Sequence, residues 1–391
     1  MHSIHEKMTG PAGIVVIGCI NSDIVAFVSH LPHAGETVFS SPLEVHFGGK
    51  GANQAAQVAL LLQSRSTKKG QEGHQCALGD AKQVYPGQPF GHEDADAHDP
   101  TTTRGNTTST CGVAMVGRVG RDTEGSSFLR HFSSLDIDTR GVSVDSHTRT
   151  GTALVTVAKG GENTIAYVPG ANAFMSKEHL AEQPVLSLLQ EAKVVVSENG
   201  IPGEASVEAF RIAKGANAHV LTVFTPAPVD RINAAICCFT DFLLCNSVEA
   251  QALLKLWGDT TDLSEPTNEM DMARLLHERM LYTASQFAHG ARGLANVIIT
   301  RGANPCVVFA NGKAMQVPVA QHVPSELVVD TTGAGDAFAG AFAYFLLLSP
   351  KSPELAVSRA TYVAAQSVTK NGAAESYAGR GDLPEHLFRN D

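Results

Sequence analysis

Residues 330–340 read DTTGAGDAFAG, and this stretch decides both the fold and the chemistry that the chain can support. A glycine-rich turn followed at once by apolar residues predicts a tight turn that opens a buried helix near Asp336. The N–H groups of Gly333, Ala334 and Gly335 and of the first helical turn would then converge on one spot and form an anion site. Asp336 at that spot could receive the proton of an attacking hydroxyl during phosphoryl transfer. The alternative is that Asp336 only caps a core helix.

Two common phosphate-binding motifs are absent from the sequence. The pairs Gly49-Lys50 and Gly312-Lys313 lack the following Ser or Thr and the preceding glycine of a P-loop. The spacing of Gly333, Gly335 and Gly340 does not match the dinucleotide-binding pattern G-x-G-x-x-G. A phosphate site at residues 333–336 would therefore belong to another architecture.

Strand and helix patterns alternate on both sides of this stretch. Short continuous apolar runs, such as IVVIGCI at residues 14–20 and AKVVVSE at residues 192–198, alternate with helical patterns. This alternation predicts an α/β fold with a mostly parallel sheet and helices on both faces, spanning residues 12–391. Residues 21–47 and the hairpin pattern at residues 148–170 do not fit that sheet, so we expect them to form a small β-sheet lid.

Two segments read as insertions within this domain. Residues 63–109 are rich in Ser, Thr, Gly, His, Gln and Asp and have no hydrophobic period. Such a segment buries too little apolar surface to offset its ordering entropy, so we expect a disordered surface insertion. Residues 258–293 contain a charged helical stretch and are a candidate for a second insertion.

Composition excludes several classes of protein. The formal net charge of −10 disfavours an extended nucleic-acid surface, while a small anionic ligand remains compatible with backbone N–H groups or metal ions. No apolar run reaches the roughly 18 residues typical of a membrane span. Seven scattered cysteines, an odd number without metal-ligand spacing, favour a reducing compartment, and we expect a cytoplasmic protein.

Several further motifs accompany DTTGAGDAFAGA and give the sequence a recognisable pattern. They are GCINSD at residues 18–23, HLPHAGET at 30–37, FGGKGANQA at 47–55, GGENTIAYVPGAN at 160–172, CNSVEA at 245–250 and SVTKNGAAES at 367–376. Together, and in this order, they resemble the ribokinase-type carbohydrate kinases over nearly the whole chain apart from the two insertions. The resemblance implies the ribokinase-like fold with its lid.

The resemblance assigns a sugar site to residues from four parts of the chain. Asn21 and Asp23 would bind sugar hydroxyls, the turn of Gly49, Lys50 and Gly51 would contact the ring, and Asn53, Glu198 and Asp336 would complete the site. The chemistry fits, because carboxylates accept hydroxyl protons and amides both donate and accept. Each residue also has an ordinary structural role open to it, as a turn former or part of a glycine-rich loop.

The resemblance also assigns a nucleotide site. Asn246 and Glu249 would organise Mg²⁺ through water, because this ion holds its hydration shell tightly; a helix cap is the alternative explanation for the same residues. The turn of Thr300, Arg301, Gly302 and Ala303 would lie under the ribose and triphosphate of ATP, with Gly335 at the phosphates. Thr361 stands where relatives often place His or Asn beside adenine.

A monovalent cation site is implied by two loops near the anion turn. Six residues match the loops that enclose K⁺ in ribokinases, mostly through carbonyl oxygens: Asp330, Thr332, Ser367, Lys370, Gly372 and Ser376. One departure from the family pattern lies elsewhere, because Thr225 begins TPAP where relatives usually show NPAP.

The resemblance implies that the chain phosphorylates D-ribose at its primary 5-hydroxyl, using ATP with Mg²⁺ and K⁺ and giving ribose 5-phosphate and ADP. Alternatives are a kinase for another sugar or a nucleoside, and a sugar-binding regulator without catalysis. The lid contains few aromatic residues for stacking a base, which disfavours a nucleoside. We expect small-molecule substrates, no nucleic-acid or membrane partner, and a homodimer that pairs through the lid.

Overall fold

A computed structural model describes residues 13–40, 42–63, 112–160, 162–230, 232–258, 268–290 and 292–389. Apart from Gln63, the predicted insertion at residues 63–109 lies outside these ranges, as do residues 259–267 of the second predicted insertion. Within the described ranges, no helix has the length and apolar character needed to cross a bilayer.

The described residues form thirteen strands, which belong to two sheets. In chain order the strands are β1 (Ile14–Ile17), β2 (Asn21–Val28), β3 (Leu43–Gly48), β4 (Val113–Gly120), β5 (Asp138–Asp145), β6 (Gly151–Ala158), β7 (Asn163–Val168), β8 (Val194–Glu198), β9 (Leu221–Thr225), β10 (Phe242–Asn246), β11 (Asn296–Arg301), β12 (Asn304–Ala310) and β13 (Lys313–Val317). The two sheets together confirm the predicted mostly parallel α/β fold with a second, small sheet.

The main sheet has nine strands in the order β13-β12-β11-β10-β9-β8-β1-β4-β5. The seven neighbouring strands from β11 through β10, β9, β8, β1 and β4 to β5 pair in parallel. Strands β12 and β13 are added antiparallel next to β11 at one edge. Because the parallel strands run in one direction, their carboxyl ends meet at one edge of the sheet, where open α/β sheets bind ligands.

Nine α-helices connect and cover the strands within the described ranges. They are α1 (Lys50–Leu62), α2 (Thr123–Ser134), α3 (Lys177–Ala181), α4 (Val185–Glu191), α5 (Gly203–Ala216), α6 (Ser247–Leu256), α7 (Glu269–Ser285), α8 (Ala334–Leu348) and α9 (Pro353–Ser367). Helix α7 falls within the second predicted insertion, and its residues Met272, Leu276 and Met280 are buried in the core.

Alternating side chains of the strands supply a core on each face of the main sheet. In β1, Val15 and Ile17 pack among residues of α5, α6 and α7, whereas Ile14 and Val16 pack among residues of α1, α8 and α9. Successive strand residues point to opposite faces, so a continuous apolar run is the pattern expected of a strand covered on both sides.

The small sheet has four strands in the order β3-β2-β6-β7. Strand β2 pairs antiparallel with β3 and parallel with β6, and β6 and β7 form the hairpin expected around residues 159–161. Strand β2 starts at Asn21, four residues after β1 ends, and β3 ends at Gly48, just before α1. The small sheet therefore borders the carboxyl edge of the main sheet through the two segments that carry polar motif residues.

Candidate active site

Helix α8 begins three residues earlier than it would if Asp336 were its N-cap residue. The N-cap residue is Gly333, which has φ of +74°, and Asp336 is the third residue of the helix. A Cβ at Gly333 would also lie 2.8 Å from Cβ of Ala373 and 2.8 Å from the Tyr377 hydroxyl, which donates to the Gly333 carbonyl at 2.9 Å. Glycine is thus needed both for the left-handed backbone and for the close approach of the following loop.

The N-terminus of α1 lies against the end of β1. Gly49 has φ of +92°, and a Cβ there would come within 2.6 Å of the Cys19 carbonyl oxygen. A Cβ at Gly51 would lie 2.7 Å from the backbone of Gly18. These glycines let the helix start in contact with the strand, which carries the first residues of α1 to the edge of the sheet.

Two amides of α1 hold the carboxylate of Asp336. The Nδ2 of Asn53 donates to Oδ2 at 3.1 Å, and the Nε2 of Gln54 donates to Oδ1 at 3.0 Å. The same Nε2 of Gln54 also lies 3.3 Å from the Thr225 hydroxyl. Asp336 is therefore not a free cap but a carboxylate whose orientation is fixed from a neighbouring helix, at the positive end of α8.

Lys50 lies among carboxylates at the start of α1. The charge of Asp336 is the main reason that the pKa of Lys50 is raised, in spite of burial, and Glu198 and Glu249 act in the same direction. A lysine in this setting keeps its positive charge at neutral pH. The start of α1 therefore supplies a cation next to the carboxylate of Asp336.

Glu198 ends β8 and is fully buried. Its carboxylate accepts hydrogen bonds from the N–H of Cys19 at 2.6 Å and from the N–H of Gly200. Burial raises the pKa of Glu198 to about 7, and the two backbone donors oppose that rise. A carboxyl group that can be either protonated or ionised near neutral pH thus stands at the carboxyl edge of the sheet.

Asn21 and Asp23 lie on one face of β2, two residues apart. The amide of the fully buried Asn172 donates to Oδ1 of Asn21 at 2.8 Å. Burial raises the pKa of Asp23 to about 6. The carboxylate of Asp23 lies over Gly48, where a Cβ would come within 2.1 Å of Oδ2. Glycine at position 48 therefore leaves room for this carboxylate beside the α1 turn.

A cavity of about 420 Å³ opens beside the turn at the start of α8. Ala334 and Gly335 line it, whereas Asp336 and its partners Asn53 and Gln54 are not among its lining residues. Other lining residues are Asn246, Thr300, Gly302, Ala303, Val319, His322, Val328, Phe338, Thr361, Ala364 and Val368. The cavity is mostly apolar with a few polar lining residues, which suits a ligand with a flat ring and polar groups.

Residues 107–378 match the profile of the pfkB family carbohydrate kinases. The chain belongs to the pfkB family of carbohydrate kinases. This match spans the main sheet from β4 onward, the α8 turn and the loop after α9.

Curated relatives and solved structures place this family member among ribokinases. It is 32% identical to ribokinase of Mus musculus over 381 residues, covering 96% of this chain and 95% of the relative. Identity to deoxyribokinase of Salmonella typhi is 26% over 381 residues, covering 97% and 99%. The ribokinase structure of Thermotoga maritima is 28% identical, with a TM-score of 0.70 and coverage of 97% and 100%. The structure of Arabidopsis thaliana ribokinase complexed with ribose and ATP is 24% identical, with a TM-score of 0.69 and coverage of 95% and 97%.

The predicted sugar residues of this kinase lie close together in space. Asn53 contacts Asp336, the charges of Lys50 and Asp336 interact with Asp23, and Lys50 interacts with Glu198. The predicted nucleotide residues divide into two groups. Asn246, Thr300, Gly302, Ala303, Gly335 and Thr361 line the cavity, whereas Arg301 and Glu249 are not among its lining residues in the described part of the chain.

Four of the predicted nucleotide residues have structural partners in this kinase. The guanidinium of Arg301 is directed to Glu269, with Nε 3.2 Å from Oε1. Asn246 and Glu249 form a capping box at the start of α6, each side chain accepting the N–H of the other residue, at 2.8 and 3.0 Å. The hydroxyl of Thr361 accepts the N–H of Ala320 at 3.0 Å and donates to Ser358 at 2.6 Å, so the hydroxyl is already engaged.

The two predicted cation loops meet at Asp330. Its Oδ1 accepts the N–H of Thr332 at 2.9 Å, and its Oδ2 accepts the N–H of Gly372 at 3.0 Å. The hydroxyls of Ser367 and Ser376 donate to carbonyls of their own segments, at 2.9 and 2.7 Å. Lys370 is exposed in the turn between them. Asp330 therefore joins the segment before α8 to the loop after α9.

Sequence reasoning missed three side chains that build this site. Gln54 follows Asn53 inside the quoted motif FGGKGANQA, Asn172 ends the motif GGENTIAYVPGAN, and Tyr377 follows the last motif. Gln54 and Asn172 are both fully buried amides. The available signal was their position within glycine-rich motifs, because a polar residue buried there requires partners.

Proposed function

We propose that the chain is an ATP-dependent ribokinase that transfers the γ-phosphoryl group of ATP to the primary 5-hydroxyl of D-ribose, giving ribose 5-phosphate and ADP. The observation that carries the proposal is Asp336, which is held by Asn53 and Gln54 and directly follows the cavity-lining Gly335. The 32% identity to ribokinase of Mus musculus, over nearly the full length of both chains, supports D-ribose as the acceptor.

In this proposal the sugar lies between the small sheet and the start of α1. Asn21 donates and accepts hydrogen bonds with ring hydroxyls, Asp23 accepts them, and Glu198 contributes a further acceptor at the carboxyl edge of the main sheet. The glycine backbone at Gly49 and Gly51 offers a flat surface for the ring. These groups can bind several hydroxyls at once, and binding them all orients the primary hydroxyl toward Asp336.

Asp336 acts as the general base. Its carboxylate takes the proton of the primary hydroxyl as the oxygen attacks the γ-phosphorus, and the bond from that phosphorus to the bridging oxygen of ADP breaks. The N–H of Gly335 faces the transferring group and stabilises its negative charge. The N–H of Ala334, which was expected to join it, instead donates to the Thr331 carbonyl at 3.3 Å. Lys50 adds a positive charge on the same side.

The adenine and ribose of ATP occupy the cavity of about 420 Å³. Thr300, Gly302 and Ala303 contact the nucleotide from one side, and the α8 turn holds the phosphates. Because the hydroxyl of Thr361 is engaged with Ala320 and Ser358, its contribution is to the shape of the cavity. Arg301 contributes through its backbone, since its side chain is directed to Glu269.

Residues fit for metal ions lie on the nucleotide side. Asn246 lines the cavity and Glu249 is its partner in the capping box of α6, and amide and carboxylate oxygens of this kind suit Mg²⁺ that keeps part of its water shell. When bound, Mg²⁺ neutralises phosphate charge. The loops joined by Asp330 suit K⁺ through their carbonyl oxygens, because the hydroxyls of Ser367 and Ser376 are turned to their own backbone. Thr332, Lys370 and Gly372 complete that set.

The small sheet is proposed as a lid and as the interface of a homodimer. Leu43, Val45, Leu154 and Val168 share one face by their strand register and are 47–64% exposed. Exposed apolar residues on an open sheet are typical of surfaces that pair with another copy. The five cysteines in the described part of the chain are free and buried, in keeping with a reducing compartment, which we infer to be the cytosol.

A sugar panel tests the proposed function. The chain is incubated with ATP, Mg²⁺ and either D-ribose, 2-deoxyribose, fructose or adenosine, and ADP release is followed with K⁺ and again with Na⁺. We expect the highest kcat/KM with D-ribose and a marked loss of activity in Na⁺. Preference for 2-deoxyribose would favour the activity named for the Salmonella typhi relative, and absence of ADP release with every acceptor would overturn the proposal.

A further inference from the structure

A histidine of the small sheet lies beside the sugar-side carboxylate. His46 of β3 is directly opposite Asp23 of β2 in the antiparallel register. The Cβ atoms of such opposed residues are about 5 Å apart, and their side chains lie on the same face of the sheet. Sequence reasoning gave His46 no role, although it falls two residues before the glycine turn of α1.

Both ring nitrogens of His46 face carboxylates. Nε2 lies 3.0 Å from Oε2 of Glu44, and Nδ1 lies 3.4 Å from Oε1 of Glu375. A neutral imidazole has one donor nitrogen, so it can serve only one of these acceptors, whereas an imidazolium serves both. The geometry therefore selects the charged form of His46.

Glu375 connects this histidine to the turn at α8. It follows Gly372, whose N–H binds Asp330, and it precedes Tyr377, whose hydroxyl binds the Gly333 carbonyl. The second carboxylate oxygen of Glu375, Oε2, is buried without a hydrogen-bond partner among the described residues. The contact with His46 is therefore the main neutralising contact of a largely buried carboxylate, and it ties β3 to the loop under the α8 turn.

The charges around Asp23 come from four elements. Burial is the largest cause of its raised pKa of about 6, and His46 is the strongest charge opposing that rise. Lys50 of α1 also opposes it, whereas Glu375 and Asp336 of α8 add to it. Asp23 would thus be ionised at neutral pH with little margin.

The charges around His46 keep its imidazole protonated around neutral pH. The hydrogen bond to Glu375 is the main reason that the pKa of His46 is raised to about 9, and Glu44 acts in the same direction. His131 of α2 lies near Glu375, and Asp330 also lies within the field of His46. The imidazolium persists over the pH range in which Asp23 changes its charge.

Building on the proposed function, we propose that His46 is a positioning residue of the sugar site. Held by Glu44 and Glu375, its imidazolium fixes β3 onto the loop under the α8 turn and provides the positive charge that keeps Asp23 an ionised hydrogen-bond acceptor for the sugar. The role goes beyond the sugar contacts proposed above, because His46 acts through Asp23.

The test compares two substitutions at this position with a matched control. His46→Gln removes the charge, and His46→Arg keeps it with a group that can donate to both carboxylates. His30→Gln is the control, since His30 forms an exposed pair with Glu36 at 2.9 Å in the same part of the chain. For each variant, kcat and the KM for ribose are measured between pH 6 and pH 8, and ribose binding is measured calorimetrically without ATP.

Loss of the opposing positive charge of His46 should raise the midpoint of Asp23 ionisation from about pH 6 to about pH 7. The ratio of the KM of His46→Gln to that of the unsubstituted protein should then be about 1 at pH 8 and about 5 at pH 6. The kcat should change by less than about twofold. The dissociation constant should follow the KM, and His46→Arg and His30→Gln should show no such trend. A purely structural role for His46 would raise the KM equally at every pH.

The carboxyl carbon of Asp23, observed by ¹³C NMR without any sugar, gives a readout that does not depend on the substrate. A midpoint shifted by His46→Gln but not by His46→Arg supports the charge role even if ribose is not the acceptor. An unshifted midpoint, or a KM ratio for His46→Gln that stays flat with pH, overturns it. Failure of the unsubstituted protein to bind or phosphorylate ribose would instead overturn the proposed substrate.

Discussion

Replacement of Gln54 by methionine isolates the hydrogen bond that orients Asp336. The side chain of Gln54 is fully buried, and its Nε2 lies 3.0 Å from Oδ1 of Asp336 and 3.3 Å from the hydroxyl of Thr225. The methionine side chain is about as long and flexible as that of glutamine but has no hydrogen-bond donor. The core therefore stays filled while one of the two amide contacts to the carboxylate of Asp336 is lost.

The expected effect falls on the chemical step. A hydrogen bond to a charged group contributes about 1.5–3 kcal/mol, and about 1.4 kcal/mol corresponds to a tenfold change in rate. We therefore expect kcat to fall by about ten- to a hundredfold, with the KM for ribose changed less than about threefold, because Gln54 donates to the base Asp336 and to none of the other predicted sugar residues. Steady-state kinetics with D-ribose and ATP, together with thermal unfolding, measure both.

Gln57→Met is the matched control. Gln57 lies one turn further along α1, is equally buried and donates to the Ala378 carbonyl at 3.1 Å, but it does not contact Asp336. The control should lose stability to a similar extent as Gln54→Met and keep its kcat within about threefold. Equal losses of kcat in both variants, or a normal kcat in Gln54→Met, would refute the positioning role of Gln54.

Two predictions concern stability and are measured by denaturant unfolding. Gly333→Ala should destabilise the protein by about 2–3 kcal/mol, because the left-handed backbone and the close approach of Ala373 both oppose a Cβ. The control Gly312→Ala has φ of +72° and open space around it, so it should lose only about 1 kcal/mol. Equal losses of stability in the two variants would contradict the packing argument. Asp241→Asn should lower the free energy of unfolding by about 3–5 kcal/mol, because it leaves the ammonium of Lys214 buried without its counter-charge. The control Arg211→Ala breaks an exposed ion pair and should change stability by less than about 1 kcal/mol. A loss below about 1 kcal/mol in Asp241→Asn would contradict that account.

The fold could be predicted from the sequence because its main signals are local. The apolar run at residues 14–20 marks a strand covered on both faces, and the structure has β1 there. The glycines before Asp336 mark the turn into α8. The helix begins at Ala334, two residues before Asp336, because the left-handed Gly333 is its N-cap.

The interactions that connect the site could not be predicted from the sequence. Gln54 and Asp336 are 282 positions apart, and His46 and Glu375 are 329 positions apart. Such contacts depend on how α1, α8 and the small sheet pack together, and a single sequence records no pairing between distant positions. The sequence motifs identified which segments meet, and the tertiary structure determined which side chains touch.

The most direct test of the central claim is a comparison of the unsubstituted protein with Asp336→Asn. The amide keeps the size of the carboxylate but cannot take a proton, and general-base catalysis contributes about 10²–10⁴-fold. With D-ribose and ATP, we predict that kcat falls by about 10³-fold while calorimetric ribose affinity stays within about threefold. A variant that retains near-normal kcat would contradict the assignment of Asp336 as the base.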